Sequence, residues 1–329
     1  MKTSPKIIEA VFSPPAPHMV GDGFRVHNFF PMGTSIDISR MSPFLLLDYN
    51  SKIEFSPREN PRGVGVHPHR GFETVTIAYA GKVAHYDSTG NSGVIGEGDV
   101  QWMTAGSGIL HKEYHEQEFS RKGGPFQMIQ LWVNLPSKYK MTTPGYQSLE
   151  NKNINKYQLP DGKGVIEIIA GEYLPHATSP PPPSLPTPSQ PPPPPPSLPQ
   201  KGEGVGEGEN KIFGSASTFS LLNLFNMKVN AGGEAEFNFD PKHNTGILVV
   251  EGKVTVNDSA PISADHFILF KHEGDGITVK AMKDSILLIL DGEPINEPIY
   301  SHGPFVMNTK EEILQAFDDL NSGKFGYLE

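Results

Sequence analysis

Two stretches decide the fold: Gly65-Val66-His67-Pro68-His69-Arg70-Gly71-Phe72-Glu73, and its counterpart Gly106-Ser107-Gly108-Ile109-Leu110-His111-Lys112-Glu113. Each carries a pair of potential metal ligands two residues apart. A β-strand has a side-chain period of two, so His67 and His69 point to one face, as do His111 and Glu113. On a helix the same pairs would diverge. Pro68 removes a backbone donor and suits a strand edge or end. If the two strands face each other, three imidazoles and one carboxylate converge on a point. That set suits a divalent first-row metal and leaves two positions of an octahedron open. It extends the two-His, one-carboxylate arrangement of non-haem Fe(II) sites.

Working outward, the neighbouring segments also read as strands. Phe24 to Phe30 lies between Gly23 and Pro31, and Leu45 to Tyr49 is a short apolar run. Thr74-Val75-Thr76-Ile77-Ala78-Tyr79 alternates polar and apolar, the pattern of a half-buried strand. Lys82 to Tyr86, Val100 to Thr104 and Met128 to Leu135 follow, and Gly164 to Gly171 closes this half. Short strands with frequent turn signals predict an all-β barrel or sandwich.

The pattern repeats further on, in Phe219–Val229, Gly246–Val250, Lys253–Val256, His266–Phe270, Ile277–Val279 and Ser285–Leu290. A second barrel of similar size is expected. It carries no His-x-His, and His243, His266 and His272 are separate, so one metal per chain is the expectation. The chain closes on a short helix. Thr309 and Glu312 form a capping box, Ile313, Leu314, Phe317 and Leu320 an apolar stripe, and Gly323 a stop.

Between the two halves, 13 of the 20 residues from Pro180 to Pro199 are proline, and a Gly/Glu-rich tract runs on to Asn210. Neither composition can build a core. The expected domains are therefore 1–174, an insertion at 175–211 read as disordered, and 212–329 with the terminal helix.

Composition narrows the function. The 329-residue chain has a formal net charge of −10 and no basic run, which argues against direct nucleic-acid binding. It has no cysteine, which excludes disulfides and thiolate chemistry and fits a reducing, cytoplasmic setting. No apolar run is long enough to suggest a membrane span.

Four blocks in order carry a family resemblance: His67-Pro68-His69-Arg70-Gly71-Phe72-Glu73-Thr74-Val75, Gly98 to Gly106, Gly108-Ile109-Leu110-His111-x-Glu113, and Gln130-Leu131-Trp132-Val133-Asn134-Leu135. Together they closely resemble the pirin family of the cupin superfamily. The resemblance implies two tandem cupin-type β-barrels with one metal, usually iron as Fe(II), in the first. Carried over by motif, the ligands are His67, His69, His111 and Glu113. In the wider cupin pattern a Glu shortly after His-x-His is the carboxylate ligand. Glu73 sits near that position and stays as the alternative or as an outer partner, alongside Arg70. His85 and His115 are expected to be bystanders or outer donors, and Trp102 and Trp132 core residues.

The resemblance implies two kinds of function. Some pirins resemble quercetin 2,3-dioxygenases, which open a flavonol ring with O2 and release carbon monoxide. In that chemistry Glu113 would also accept the hydroxyl proton. Other pirins are implicated as iron-dependent partners of transcription factors or metabolic enzymes. The expectation is an oxidoreductase acting on a flavonol-like small molecule and O2, with the protein-partner role as alternative.

Overall fold

The computed structural model of the protein describes residues 4–175 and 211–329. Strands dominate, as the sequence predicts, and they form two separate units. The units are not the two halves of the sequence. One comprises residues 12–151 and 293–329, the other residues 1–11 and 152–292.

The first unit holds both His-bearing stretches. Its larger sheet runs Gly145–Leu149, Val100–Thr104, Phe72–Ala80, Gly124–Asn134, Phe44–Phe55, Phe24–Phe30 and His18–Val20, each hydrogen-bonded to the next. Its smaller sheet runs Gly63–His69, Ile109–His115, Val83–Asp87 and Ser92–Ile95. Every pairing in both sheets is antiparallel. Phe24, Val26, Ala78, Phe126 and Met128 of the larger sheet pack against Val83 and Ile95 of the smaller one. The two sheets therefore close on one apolar core, as aligned barrel walls do.

One strand departs from expectation. Phe72–Ala80 alternates in sequence yet is buried on both faces, with Thr74 and Thr76 each 1% exposed. Its register places Thr76 opposite Gln101 on one side and Gln130 on the other. The polar face of the alternation looks into a polar barrel interior, not into water. Periodicity reports that two faces differ; it does not say which one is wet.

The second unit has the same layout. A seven-stranded sheet runs Ile8–Phe12, His266–Phe270, Asn244–Glu251, Ser285–Gly292, Leu222–Val229, Gly164–Ala170 and Asn155–Gln158. A four-stranded sheet of Glu234–Asn238, Gly276–Ala281, Lys253–Val256 and Ile262–Ser263 accompanies it. Its apolar core is centred on Phe225, Phe237, Val254, Ile268, Ile277 and Ile289.

The division differs from the expected boundaries in three places, the shortest being residues 1–11, which belong to the second unit. Gly164–Ala170 pairs with Leu222–Val229, so it begins the second sheet instead of closing the first. The last 37 residues belong with the first unit, not the second. The Pro-rich and Gly/Glu-rich insertion lies outside the described residues.

The C-terminal residues join the first unit through a specific docking site. Phe305–Met307 lies beside Arg70, whose carbonyl accepts from the Val306 N–H at 3.1 Å. Gly71 sits at φ +86°, and a Cβ there would meet the Val306 carbonyl oxygen at 2.0 Å, so only glycine allows the approach. The buried Lys140 ammonium donates to the carbonyls of Gly71 and Val306 and to Asn134 Oδ1, at 2.7–2.9 Å.

The helix Lys310–Asn321 follows, with the expected capping box between Thr309 and Glu312. Its buried side is Ile313 and Ala316, flanked by Phe317 and Leu320. Leu314, expected in the stripe, is 55% exposed. It stands about 100° around the helix from Ile313, off the 3–4 spacing that defines the face.

These assignments have measurable consequences. Ile313→Ala should cost about 2–5 kcal/mol, Thr309→Ala about 1 kcal/mol, and Leu314→Ala less than about 0.5 kcal/mol. Urea denaturation of the three variants checks the order. A Leu314→Ala loss equal to that of Ile313→Ala would contradict the helix orientation.

Candidate metal centre

The site is assembled by one strand pair. Gly63–His69 and Ile109–His115 run antiparallel with His111 directly opposite His67 and Ile109 opposite His69. Ile109–His115 has alternating burial, with Ile109, His111, Glu113 and His115 inward and Leu110, Lys112 and Tyr114 half-exposed. The three imidazoles meet: ring centroids are 4.1 Å apart for His67 and His111, 4.7 Å for His69 and His111, and 4.9 Å for His67 and His69. One ring nitrogen from each lies within 4.8 Å of the other two. No other such group of histidines or carboxylates occurs among the described residues.

Burial sets their protonation. Desolvation holds His67 below the ordinary histidine range, against a hydrogen bond between Nδ1 and the Gly65 carbonyl at 2.8 Å. It pushes His69 and His111 well below that range, and the neighbouring imidazoles add to the effect. The nearby Pro304 carbonyl opposes it in part. All three rings are therefore neutral with lone pairs to offer, the form in which histidine ligates.

His111 is the most telling. It is 1% exposed, and neither ring nitrogen has a hydrogen-bond partner. A buried polar group left unpaired costs about 1–3 kcal/mol. A cation shared with His67 and His69 would remove that cost. The donor set fits one divalent metal.

The two candidate carboxylates part company. Glu113 shares the inward face of its strand with His111, but a bulge in the ladder separates them and sets Glu113 opposite Val64. Its carboxylate is not in the three-nitrogen group. It accepts from Gln130 Nε2 at 3.2 and 3.5 Å and from Thr76 Oγ1 at 3.5 Å. Burial raises its pKa to about 7, with Gln130 and Thr76 pulling the other way.

Glu73 is on the other side of the larger sheet. It pairs with Thr104, whose hydroxyl donates to Glu73 Oε1 at 2.7 Å, whereas Phe72, the neighbouring residue, faces His69 at 5.0 Å between ring centroids. Burial also raises Glu73 to about 7.

Other singled-out residues fall into place. His115 bonds the Gly23 carbonyl at 2.8 Å and is packed by Phe24, Phe55, Phe119 and Phe126, so its role is structural. His85 is nearer the site: it stands opposite Glu113 in the ladder and stacks on Tyr146 at 4.7 Å. Arg70 does not touch the imidazole group; its side chain binds Asp319. Trp102 is core, but Trp132 lies 5.4 Å from His69 and stacks on Phe72 at 4.2 Å.

Gln130, Thr76 and Tyr146 were not singled out from sequence. The signal was present in part: Gln130 and Trp132 share a strand face by parity.

Two antiparallel barrels, with a histidine triad on the inner face of one, define a metal-binding bicupin. The chain belongs to the pirin family: residues 23–133 match the Pirin domain and residues 224–326 the Pirin C-terminal cupin domain. A Pseudomonas aeruginosa protein provisionally named quercetin 2,3-dioxygenase is 41% identical, over 94% of each chain. Human pirin is 34% identical over 88% of this chain and 85% of its own. The crystal structure of quercetin 2,3-dioxygenase from Acinetobacter baumannii is 41% identical with a TM-score of 0.82, covering 99% of this chain and 100% of that one. No helix among the described residues is long and apolar enough to cross a membrane.

Glu73 gives a pH prediction independent of metal. Its raised pKa means the protonated form's contribution to stability is complete below pH 4.5 and is lost as pH rises through about 7. Glu73→Gln should therefore stabilise metal-free protein at pH 8 relative to pH 5, by an amount on the order of 2–3 kcal/mol. Equal effects at both pH values in urea titrations would show that the carboxylate is ionised at no cost.

Proposed function

We propose that this chain is a metal-dependent dioxygenase that cleaves quercetin-type flavonols at the 2,3-position with O2. In this reading His67, His69, His111 and Glu113 hold one divalent metal, Fe(II) foremost and another first-row ion in its place. The carrying observation is the group of three neutral imidazoles, His69 and His111 buried and His67 half-buried, with the buried Glu113 carboxyl group two residues along the strand from His111. The full-length likeness to a quercetin 2,3-dioxygenase supports the substrate class.

A bound metal would supply a Lewis-acid centre for the flavonol hydroxyl oxygen and a binding position for O2. The chain supplies the rest. Glu113 accepts the hydroxyl proton at a carboxylate oxygen. The Gln130 amide and Thr76 hydroxyl hold that carboxylate in place. Phe72 and Trp132 give the His69 side an aromatic border, which favours a flat aromatic substrate. Glu73 faces Thr104 across the sheet and takes no part.

The test is anaerobic loading with Fe(II), then O2 uptake with flavonols. Elemental analysis should give one metal per chain. His111→Ala should abolish tight binding, and Glu73→Gln should retain it. Carbon monoxide should appear with flavonol loss, and Glu113→Gln should lower turnover by about 10²–10⁴-fold, the range typical of general-base loss. Flavonol loss without carbon monoxide, or equal loss in metal-free protein, would favour an iron-binding protein that acts through protein partners.

A further inference from the structure

The two strands that carry the imidazoles are gripped from outside by the end of the chain. Arg70, the residue after His69, is 3% exposed. Its Nη2 lies 2.8 Å from Asp319 Oδ2, and its Nε donates to the Ser107 carbonyl at 2.8 Å. The guanidinium carbon stands 4.7 Å over the Phe325 ring. Arg70 also donates its backbone N–H to the Pro304 carbonyl at 3.3 Å. The other Asp319 oxygen accepts from Lys324 Nζ at 2.7 Å and Gln315 Nε2 at 2.9 Å. These cations and the amide, Lys324 first, hold the Asp319 carboxyl well below its ordinary range.

The second strand is gripped by the same segment. Ser88 Oγ donates to the Phe325 carbonyl at 2.6 Å and accepts from the N–H of Leu110, the residue before His111, at 3.0 Å. The Leu110 side chain packs on the cluster of Phe305, Met307, Ile313, Ala316 and Phe325. Gly108 lies so close to Phe325 that a Cβ there would meet the ring at 2.4 Å.

So a residue next to a candidate ligand is fixed on each strand, Arg70 beside His69 and Leu110 beside His111. The contacts are of unequal kinds. Apolar packing would suffice to seat the helix. A buried, doubly anchored guanidinium beside His69 is costly unless its anion is in place, which makes its position all-or-none.

We propose that the segment from Pro304 to Phe325 is a clamp that sets the metal affinity of the three-imidazole site, with the Arg70–Asp319 pair as its lock. The inference rests on the metal-binding reading above. The clamp acts by preorganisation. With it closed, His69 and His111 are held as a converging pair before the ion arrives. With it loosened, only part of the population is competent, and apparent affinity falls by that fraction. Arg70 and Asp319 are positioning residues; neither touches the ion.

The experiment uses the full chain and Co(II), whose visible absorption reports ligand geometry. Parent, Asp319→Asn, Phe325→Ala and Ile277→Ala are titrated against a competing chelator, with folding checked by circular dichroism. Ile277, buried in the core of the second unit, is a control for general destabilisation. Both clamp variants should bind Co(II) about 10–100-fold more weakly, the usual cost of losing an outer partner of a ligand. Their absorption bands should shift, while Ile277→Ala keeps the parental spectrum and affinity. If Asp319→Asn does not fold, Phe325→Ala decides, since it removes ring packing without leaving a charge unpaired. Unchanged affinity and spectrum in a folded clamp variant would overturn the clamp and leave the metal site standing. A parent that binds no Co(II) would overturn the metal reading, and the clamp with it.

Discussion

The register of Gly63–His69 against Ile109–His115 is the constraint on which the site depends. His67 faces His111 because those two residues are paired across the ladder. A slip of one residue would turn every side chain of one strand to the other face and disperse the imidazoles. The register is held from several sides. Ile109–His115 is flanked by Val83–Asp87 on its other edge, so both edges are paired. Gly63 lies so close to Tyr114 and the Glu113 carbonyl that no side chain would fit there.

Around that pair, burial keeps three histidines in the neutral form that can ligate a metal. Free in water, an imidazole titrates near pH 6.5 and competes with metal for protons. Inside this barrel the charged form is too costly, so the rings stay neutral. The same desolvation acts in the opposite direction on carboxylates and lifts Glu113 to about 7. One physical cause thus leaves the imidazoles with lone pairs and brings the Glu113 carboxyl group close to neutrality. The second barrel, with the same strand layout, has an apolar core and no such histidine group among its described residues. The two barrels differ in what lines them, not in how they are built.

The outer anchoring of the site comes from distant sequence. Arg70 and Asp319 are 249 positions apart, yet they form a buried ion pair at 2.8 Å. Such a pair contributes little net stability compared with apolar packing, but removing one partner is expensive. That asymmetry favours a role in holding a geometry over a role in adding stability.

Sequence alone carried the strand pattern, the His-x-His and His-x-Glu pairs, and the capping box at Thr309. Each is a local property: period, spacing, or a side chain reaching three residues along. Phe24–Phe30, Val100–Thr104, Lys253–Val256 and His266–Phe270 accordingly fall where the sequence places them. Tertiary structure alone decided four other matters. It turned the threonine face of Phe72–Ala80 inward, because only packing says which face is wet. It sent Glu73 to Thr104 and Glu113 to Gln130, because strand parity fixes a face only once the sheet's neighbours are known. It gave Gly164–Ala170 to the second sheet, because pairing partners are non-local. And it returned the C-terminal helix to the first unit, because Ile313 and Ala316 pack with Phe305 and Phe325 against Leu110, a contact between distant segments that no local pattern identifies.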